Sequence, residues 1–499
     1  MIETKSSYRE AFKATSIFGG VQVFNILIGI ARSKIIAVLL GASGYGFVGM
    51  LNAPVGFIAN LTGLGINFSA IRDISSANEQ GDQVKLSTTL KTFRRLIWVT
   101  GLMGMLTVLV FSPWLSQWGF GNKNYSLTFV FVSITLLINS ISNGQVSVLR
   151  GTRRIKDMAK VGLFGYLFGL IASIPFYYYY GMKGIVPAII ISSCITLFIS
   201  WFYSSKVKIV AVKVSYRESF QQGKQMVQLG VMMTLTSMIS NGVSYLVITF
   251  INKMGGLSEV GLYNAGWAIT NQYTGMVFAA MAADYYPRLA GIHQYNTKIR
   301  NMVNQQSEIA VLIIAPVMLL YLTSLPFLIP LFYSSQFMNI IPFTQWVILG
   351  MLFKTSAWAM AYIILAKGNI RLFFITETIS NVFLLICNIT GYYLFGLQGI
   401  GIGFVIICIL YFFLVWIICM KKYEFCYNKL FYKIFIIQLF LCVIAFLIAY
   451  NFDYSTGYVS GGILLIISCL YSYSELNKRL DIVDIVQSKL KINRWKKNL

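Results

Sequence analysis

Residues 26–46 read ILIGIARSKIIAVLLGASGYG, and Arg32 and Lys34 stand inside an otherwise apolar run. A charge at mid-membrane costs about 2.5–3.5 kcal/mol on insertion scales, so a guanidinium placed there needs a partner or an exit. Its chemistry is that of a planar, always-charged, bidentate donor, which suits a phosphate or a carboxylate. Gln22, Asn25 and Gly29 precede Arg32 on one helical face. Asn52, Gly56, Asn60, Gly63 and Asn67 form a second polar face. Thr234, Ser237, Asn241 and Ser244 form a third, and Tyr263, Asn264, Trp267 and Asn271 a fourth. Polar groups facing lipid go unsatisfied, so these faces are expected to meet one another or a watered cavity. Tyr263 and Trp267 offer rings for stacking on sugars, and the set suits an anionic head group with polar substituents. Two blander readings stand beside this one. Small and amide residues also glue membrane helices together. Arg32 also lies about 9 Å, at 1.5 Å per residue, from the end of its run, within snorkelling reach. Lys34, off the Arg32 face, reads as a snorkelling residue.

Other charges have structural and functional readings side by side. Lys354 lies mid-run with Trp358 and Tyr362 at the following turns, and Glu377 lies in the next run. A structural Lys354–Glu377 pair is preferred here over a proton or cation relay. Asp284 and Arg288, spaced i and i+4, read as a local ion pair with a possible gating role, as does Arg72. Glu308 is expected at an interface. No pattern of catalytic or metal-ligating residues appears: there is no P-loop, GxSxG or HExxH. The seven cysteines make no CxxC, and His293 is alone in a polar loop. Neither an enzyme, a metal nor a cofactor is expected.

The elements that must position these residues are membrane helices. The 499 residues are 57% hydrophobic and 11% charged, with a mean hydropathy of +0.70. Apolar runs of about twenty residues recur from end to end, each long enough to span a bilayer. They are continuous rather than alternating, so they read as helices. The spacing predicts about 14 transmembrane helices, at 14–38, 46–71, 96–115, 126–149, 161–181, 185–205, 227–251, 260–284, 307–331, 341–365, 372–394, 397–420, 431–450 and 456–474. With the N-terminus in the cytoplasm, 34 of the 40 basic residues fall on the cytoplasmic side, as the positive-inside rule requires. The outer loops then hold only Lys123, Lys183 and Lys253. The net charge of +24 is therefore a topology signal rather than a nucleic-acid footprint. No cleavable signal peptide is expected.

The chain also repeats itself. Gly41-x-Ser43-x-x-Gly46 returns as Gly256-x-Ser258-x-x-Gly261, and Arg72 as Arg288. Gly151-x-x-Arg154 returns as Gly368-x-x-Arg371, and Gly181-x-x-Gly184 as Gly396-x-x-Gly399. The offsets are near 215 throughout, the mark of an internal repeat. Each repeat holds six runs, an even number, so both enter from the same side: two pseudo-symmetric, parallel six-helix lobes, a transporter architecture. The expected organisation is a lobe over 1–206, a cytoplasmic linker over 207–225, a second lobe over 226–420 and two extra transmembrane helices over 421–475. A basic amphipathic tail, 476–499, is expected to lie on anionic inner-leaflet lipids, with a cytoplasmic C-terminus.

The stretch ARSKIIAVLLGASGYGFVGM (31–50), followed by a glycine-dotted run ending INFSAIRDIS (66–75), resembles bacterial polysaccharide-unit flippases of the O-antigen type. These belong to the multidrug/oligosaccharidyl-lipid/polysaccharide exporter superfamily and are related to lipid II flippases. The resemblance covers residues 1–420. It implies an all-α, two-lobed inner-membrane protein working by alternating access. The implied substrate is an undecaprenyl-diphosphate-linked oligosaccharide carried outward for lipopolysaccharide or other polysaccharide synthesis, with polymerase and assembly proteins as partners. It also implies diphosphate contact at Arg32, which stands nine residues before Gly41 as in the lipid II flippases. The chain departs from the O-antigen pattern by its two additional C-terminal runs. The alternative within the superfamily is a cation-coupled multidrug antiporter, disfavoured because the polar faces carry an arginine and no carboxylate. A membrane glycan polymerase would need a large outer loop, and the outer loops are short.

Overall fold

The computed structural model describes residues 2–207, 209–212, 214–451 and 454–480, with side chains from Phe24 onward except at 79, 454–456, 479–480 and in parts of 216–233 and 272–290. Gln22 and Asp284 therefore have no described side chain, and the amphipathic tail beyond Leu480 lies outside the described residues. The fold is helical: α1 (Ile2–Gly63), α2 (Ile66–Glu79), α3 (Gln83–Phe120), α4 (Ser126–Gly151), α5 (Ile155–Tyr180) and α6 (Ile185–Ser204). There follow α7 (Tyr216–Gly291), α8 (Asn296–Phe332), α9 (Ile341–Ala366), α10 (Ile370–Tyr423), α11 (Lys429–Asn451) and α12 (Tyr454–Leu480). Among the described residues, ten helical runs are long and apolar enough to cross a membrane, rather than fourteen. The chain is an all-α, multi-pass membrane protein.

Four of these ten runs are broken at a glycine. Gly41 inside α1 has φ 67° and ψ −170°, and Gly256 inside α7 has φ 77° and ψ −178°. That region is essentially closed to any residue with a Cβ. Gly396 inside α10 (φ 60°) and Gly181 between α5 and α6 (φ 54°) make a second matched pair. The sequence repeat is thus a repeat of backbone conformation at a constant offset. One pairing is corrected. Gly368 corresponds not to Gly151 but to Arg153, since both adopt left-handed φ, 71° and 55°. The hydrogen bonds agree: Arg154 N–H donates to the Leu149 carbonyl and Asn369 N–H to that of Ile364. Arg153 takes a conformation that its counterpart takes as glycine.

The chain divides into two compact units. The first is Met1–Asn264 with Leu331–Phe337 and the second Ala265–Pro330 with Met338–Leu499. The first has two apolar clusters. One joins α2, α3 and α4 through Ile74, Leu90, Phe93 and Leu149. The other joins the second half of α1 to α3–α6 through Leu51, Val108, Phe129 and Tyr177. Residues 205–207, 209–212 and 214–215 run without helix along α3, where Lys91 Nζ donates to the Val212 carbonyl at 2.8 Å. This segment is a strap that ends where α7 begins at Tyr216.

In the second unit α9 is buried on nearly every side, with Phe343, Val347, Met351, Leu352, Met360 and Ile363 sealed from the surface. A helix apolar all round is a core helix. The connection from α10 to α11 is pinned to α8. Asn304 Nδ2 donates to the Cys426 carbonyl at 3.3 Å, and its Oδ1 accepts from Asn428 N–H at 2.8 Å. Asn428 Nδ2 donates to Glu308 at 2.9 Å. Glu308 is thus buried among polar partners. Tyr427 stacks on Phe431 at 3.7 Å and donates its hydroxyl to the Ser356 carbonyl at 2.9 Å.

Candidate functional site

In the first unit the α1–α2 segment and α7 approach each other closely at several points, and glycines make this possible. A Cβ on Gly46 would stand 1.8 Å from the Leu257 carbonyl oxygen, and one on Gly261 1.9 Å from that of Ala42. The two repeats touch reciprocally, backbone on backbone. Further along, Gly242 packs on the ring of Phe57, and Gly65 and Gly230 meet with 2.2–2.3 Å between a would-be Cβ and a carbonyl oxygen. Close approach of this kind needs small residues.

Arg32 lies on the first half of α1, half-buried, with no hydrogen bond or ion pair to any described residue. Asn25, two helical turns before it, turns toward Gly162 of α5, and its Oδ1 is buried without a hydrogen-bond partner among the described residues. Asn67 Oδ1 and Asn264 Nδ2 are likewise buried and unmatched, Asn264 lying against Gly49. A buried amide without a partner is uncommon in a finished protein core. Asn60 instead donates to the Gly56 carbonyl of its own helix at 3.1 Å. Asn52 is exposed, Asn241 half-buried and Tyr263 buried. Arg72 is exposed and pairs with its neighbour Asp73 at 2.9 Å.

The remaining residues belong to the second unit. Trp267 is packed edge-on against Phe343 and Phe404, with centroids 6.0 and 5.0 Å away, so its ring serves the core of that unit. Asn271 and Arg288 are exposed. Lys354 and Glu377 act on each other electrostatically, but no direct contact between them is seen among the described residues. Lys354 Nζ lies over the Phe404 ring, 5.6 Å from its centroid, and Glu377 accepts a 2.5 Å hydrogen bond from the Tyr411 hydroxyl. Phe404 and Tyr411 escaped the sequence reading because aromatics are frequent in these runs and nothing local ties either to a charge 34 to 50 residues away.

The chain is 21% identical over 359 residues to the lipid III flippase of Escherichia coli (strain K12), covering 70% of this chain and 83% of that protein. Among solved structures it superposes on an inward-facing MATE family transporter of the MOP superfamily with a TM-score of 0.70 at 15% identity, over 82% of this chain and 98% of the other. On the lipid II flippase MurJ in an inward closed conformation the TM-score is 0.68 at 14% identity, over 92% and 99%. The fold is that of these transporters. Residues 35–342 match the polysaccharide biosynthesis protein family, and the chain belongs to that family.

Proposed function

We propose that the protein is a flippase that moves an undecaprenyl-diphosphate-linked oligosaccharide from the cytoplasmic to the outer face of the bacterial inner membrane by alternating access. The carrying observation is Arg32, a guanidinium within an apolar run that no described residue engages. Such a group is available to a diphosphate, and Asn25, Asn67 and Asn264 supply further unmatched amides in the same unit. The family, and the lipid III flippase among its relatives, support a lipid-linked substrate. No bond changes in this reading, so net direction follows from consumption of the product or from an ion gradient. Counting each glycine-broken run as two passes gives fourteen spans, with both termini cytoplasmic. The likeness to MurJ spans a larger share of the chain than residues 1–420 make up, which supports counting α11 and α12 within the transporter.

The test is flipping in proteoliposomes carrying an undecaprenyl-diphosphate oligosaccharide, read by accessibility to an impermeant glycan-binding probe. Wild type is expected to flip, Arg32→Ala to lose at least roughly tenfold in rate, and Arg32→Lys to retain part of it, since a point charge replaces a fork. Equal rates in all three would leave Arg32 a packing or snorkelling residue. No transport by wild type would favour the multidrug antiporter.

A further inference from the structure

A second basic site lies away from Arg32, where the polar first turns of α3 give way to its apolar run. Ser87, Lys91, Arg94, Arg95 and Trp98 of α3, with Ile209 of the strap, line a cavity of about 710 Å³. Two of its three cations are committed. Lys91 holds the Val212 carbonyl, and Arg95 Nη1 holds the carbonyls of Val214 and Ser215 at 3.1 and 3.3 Å and the Ser219 hydroxyl at 2.7 Å. These bonds draw the strap's carbonyls onto Lys91 and Arg95, while Ser87 Oγ takes up the Val210 N–H at 2.9 Å.

Arg94 is different. Its guanidinium makes no hydrogen bond or ion pair to a described residue, and its Nε is buried without a partner. No acidic residue lines the cavity. Three cations within five residues therefore face a partly desolvated space with one donor fork unspent, the chemistry that selects a phosphate. The rim selects further. Trp98 and Val99, 51% and 61% exposed, stand on the surface of α3 that continues into its apolar run, and Ile209 is exposed on the strap. A tryptophan at this boundary marks the head-group level of a bilayer. A soluble anion would gain nothing from these side chains, whereas an amphiphile would meet them with its tails.

We propose that this pocket binds the phosphate head group of an anionic membrane lipid, with Arg94 as the phosphate donor and the acyl chains along Trp98 and Val99. Basic pockets between membrane helices on the cytoplasmic side bind anionic lipid head groups. The bound lipid would tie the strap to α3 and so secure the chain just before α7.

The full-length protein in nanodiscs of mixed phosphatidylglycerol and phosphatidylcholine supplies the test. Native mass spectrometry counts the lipids retained, and a photoactivatable phosphatidylglycerol locates them on wild type without any substitution. The expected result is labelling centred on Trp98, Val99 and Ile209, and roughly tenfold weaker retention of phosphatidylglycerol in Arg94→Gln than in wild type. Arg150→Gln, at an exposed position elsewhere, should retain it as wild type does. Labelling spread evenly over the chain, or equal retention by Arg94→Gln, overturns the proposal. Displacement of the probe by inorganic phosphate overturns the lipid assignment in favour of a soluble anion, and displacement by an isoprenyl diphosphate at equal concentration does so in favour of the transported substrate.

Discussion

Gly46 and Gly261 show how much a missing side chain can decide. Each stands under 2 Å, by its would-be Cβ, from a backbone carbonyl of the other repeat. Backbone cannot swing aside as a flexible side chain can. Gly46→Ala is therefore expected to destabilise the protein by about 1–3 kcal/mol, the range for overpacking a tight site. Gly261→Ala should do the same, and the double variant should lose less than the sum, because both separate the same pair of segments. Thermal unfolding of the detergent-purified variants checks this, and additive losses would mean that the two contacts are independent. Tyr411→Phe tests the second unit. Losing its hydroxyl removes the hydrogen bond to Glu377 and should cost about 1–3 kcal/mol of stability. Transport rate should be unchanged if Glu377 is structural, while a loss of transport with stability intact would mark it as part of a relay.

The polar residues were legible in the sequence to different degrees. Arg32 announced itself because a charge in an apolar run is expensive, and the structure leaves it half-buried and unengaged. Helical spacing proposed polar faces on α1 and α7, but spacing gives an azimuth and no neighbour. It therefore missed that Asn25 turns toward Gly162 and that Trp267 fits between Phe343 and Phe404. The pairing of Lys354 with Glu377 was legible in part: the two charges do act on each other, but only packing shows that a ring and a phenol make their direct contacts.

At the scale of elements, the breaks in α1, α7 and α10 do what loops do elsewhere. Gly256 adopts a backbone conformation in which a Cβ costs about 1–3 kcal/mol, so Gly256→Ala should lower stability although open space surrounds it. Gly275→Ala, which also meets open space but has ordinary helical φ, serves as the control and should be neutral or mildly stabilising. The sequence motif located these breaks because glycine at fixed offsets survives where no other residue fits. It misaligned the turn after α4, where Arg153 occupies the left-handed position and no glycine marks it. The clamp between α8 and the α10–α11 connection yields a further expectation. Asn428→Ala would strip buried Glu308 of the Asn428 amide and leave Phe431 N–H without its cap, at about 1–3 kcal/mol. Limited proteolysis should then cut near 424–428 faster than in wild type.

At the scale of the whole molecule, charge gives the expected sidedness. Cysteines introduced at Lys123, Lys183 and Lys253 should react with an impermeant thiol reagent added outside intact cells, whereas one at Arg153 should react only after permeabilisation. The reverse pattern would invert the proposed topology. The all-α membrane class was readable from composition, since a bilayer permits so few solutions. The division into compact units was not, because the first unit takes in Ala42, Gly46, Leu257 and Gly261 from both repeats.

That mixing bears on taking the molecule apart. If the chain were cut in the strap and the pieces made separately, the N-terminal piece would carry Gly46 and the bare carbonyl of Ala42 with no partner. The other piece would carry Gly261 and that of Leu257. Each would expose to lipid a strip of backbone that only the other can cover. The pieces should therefore accumulate only when co-expressed, and should purify as a stoichiometric pair through a tag on either one.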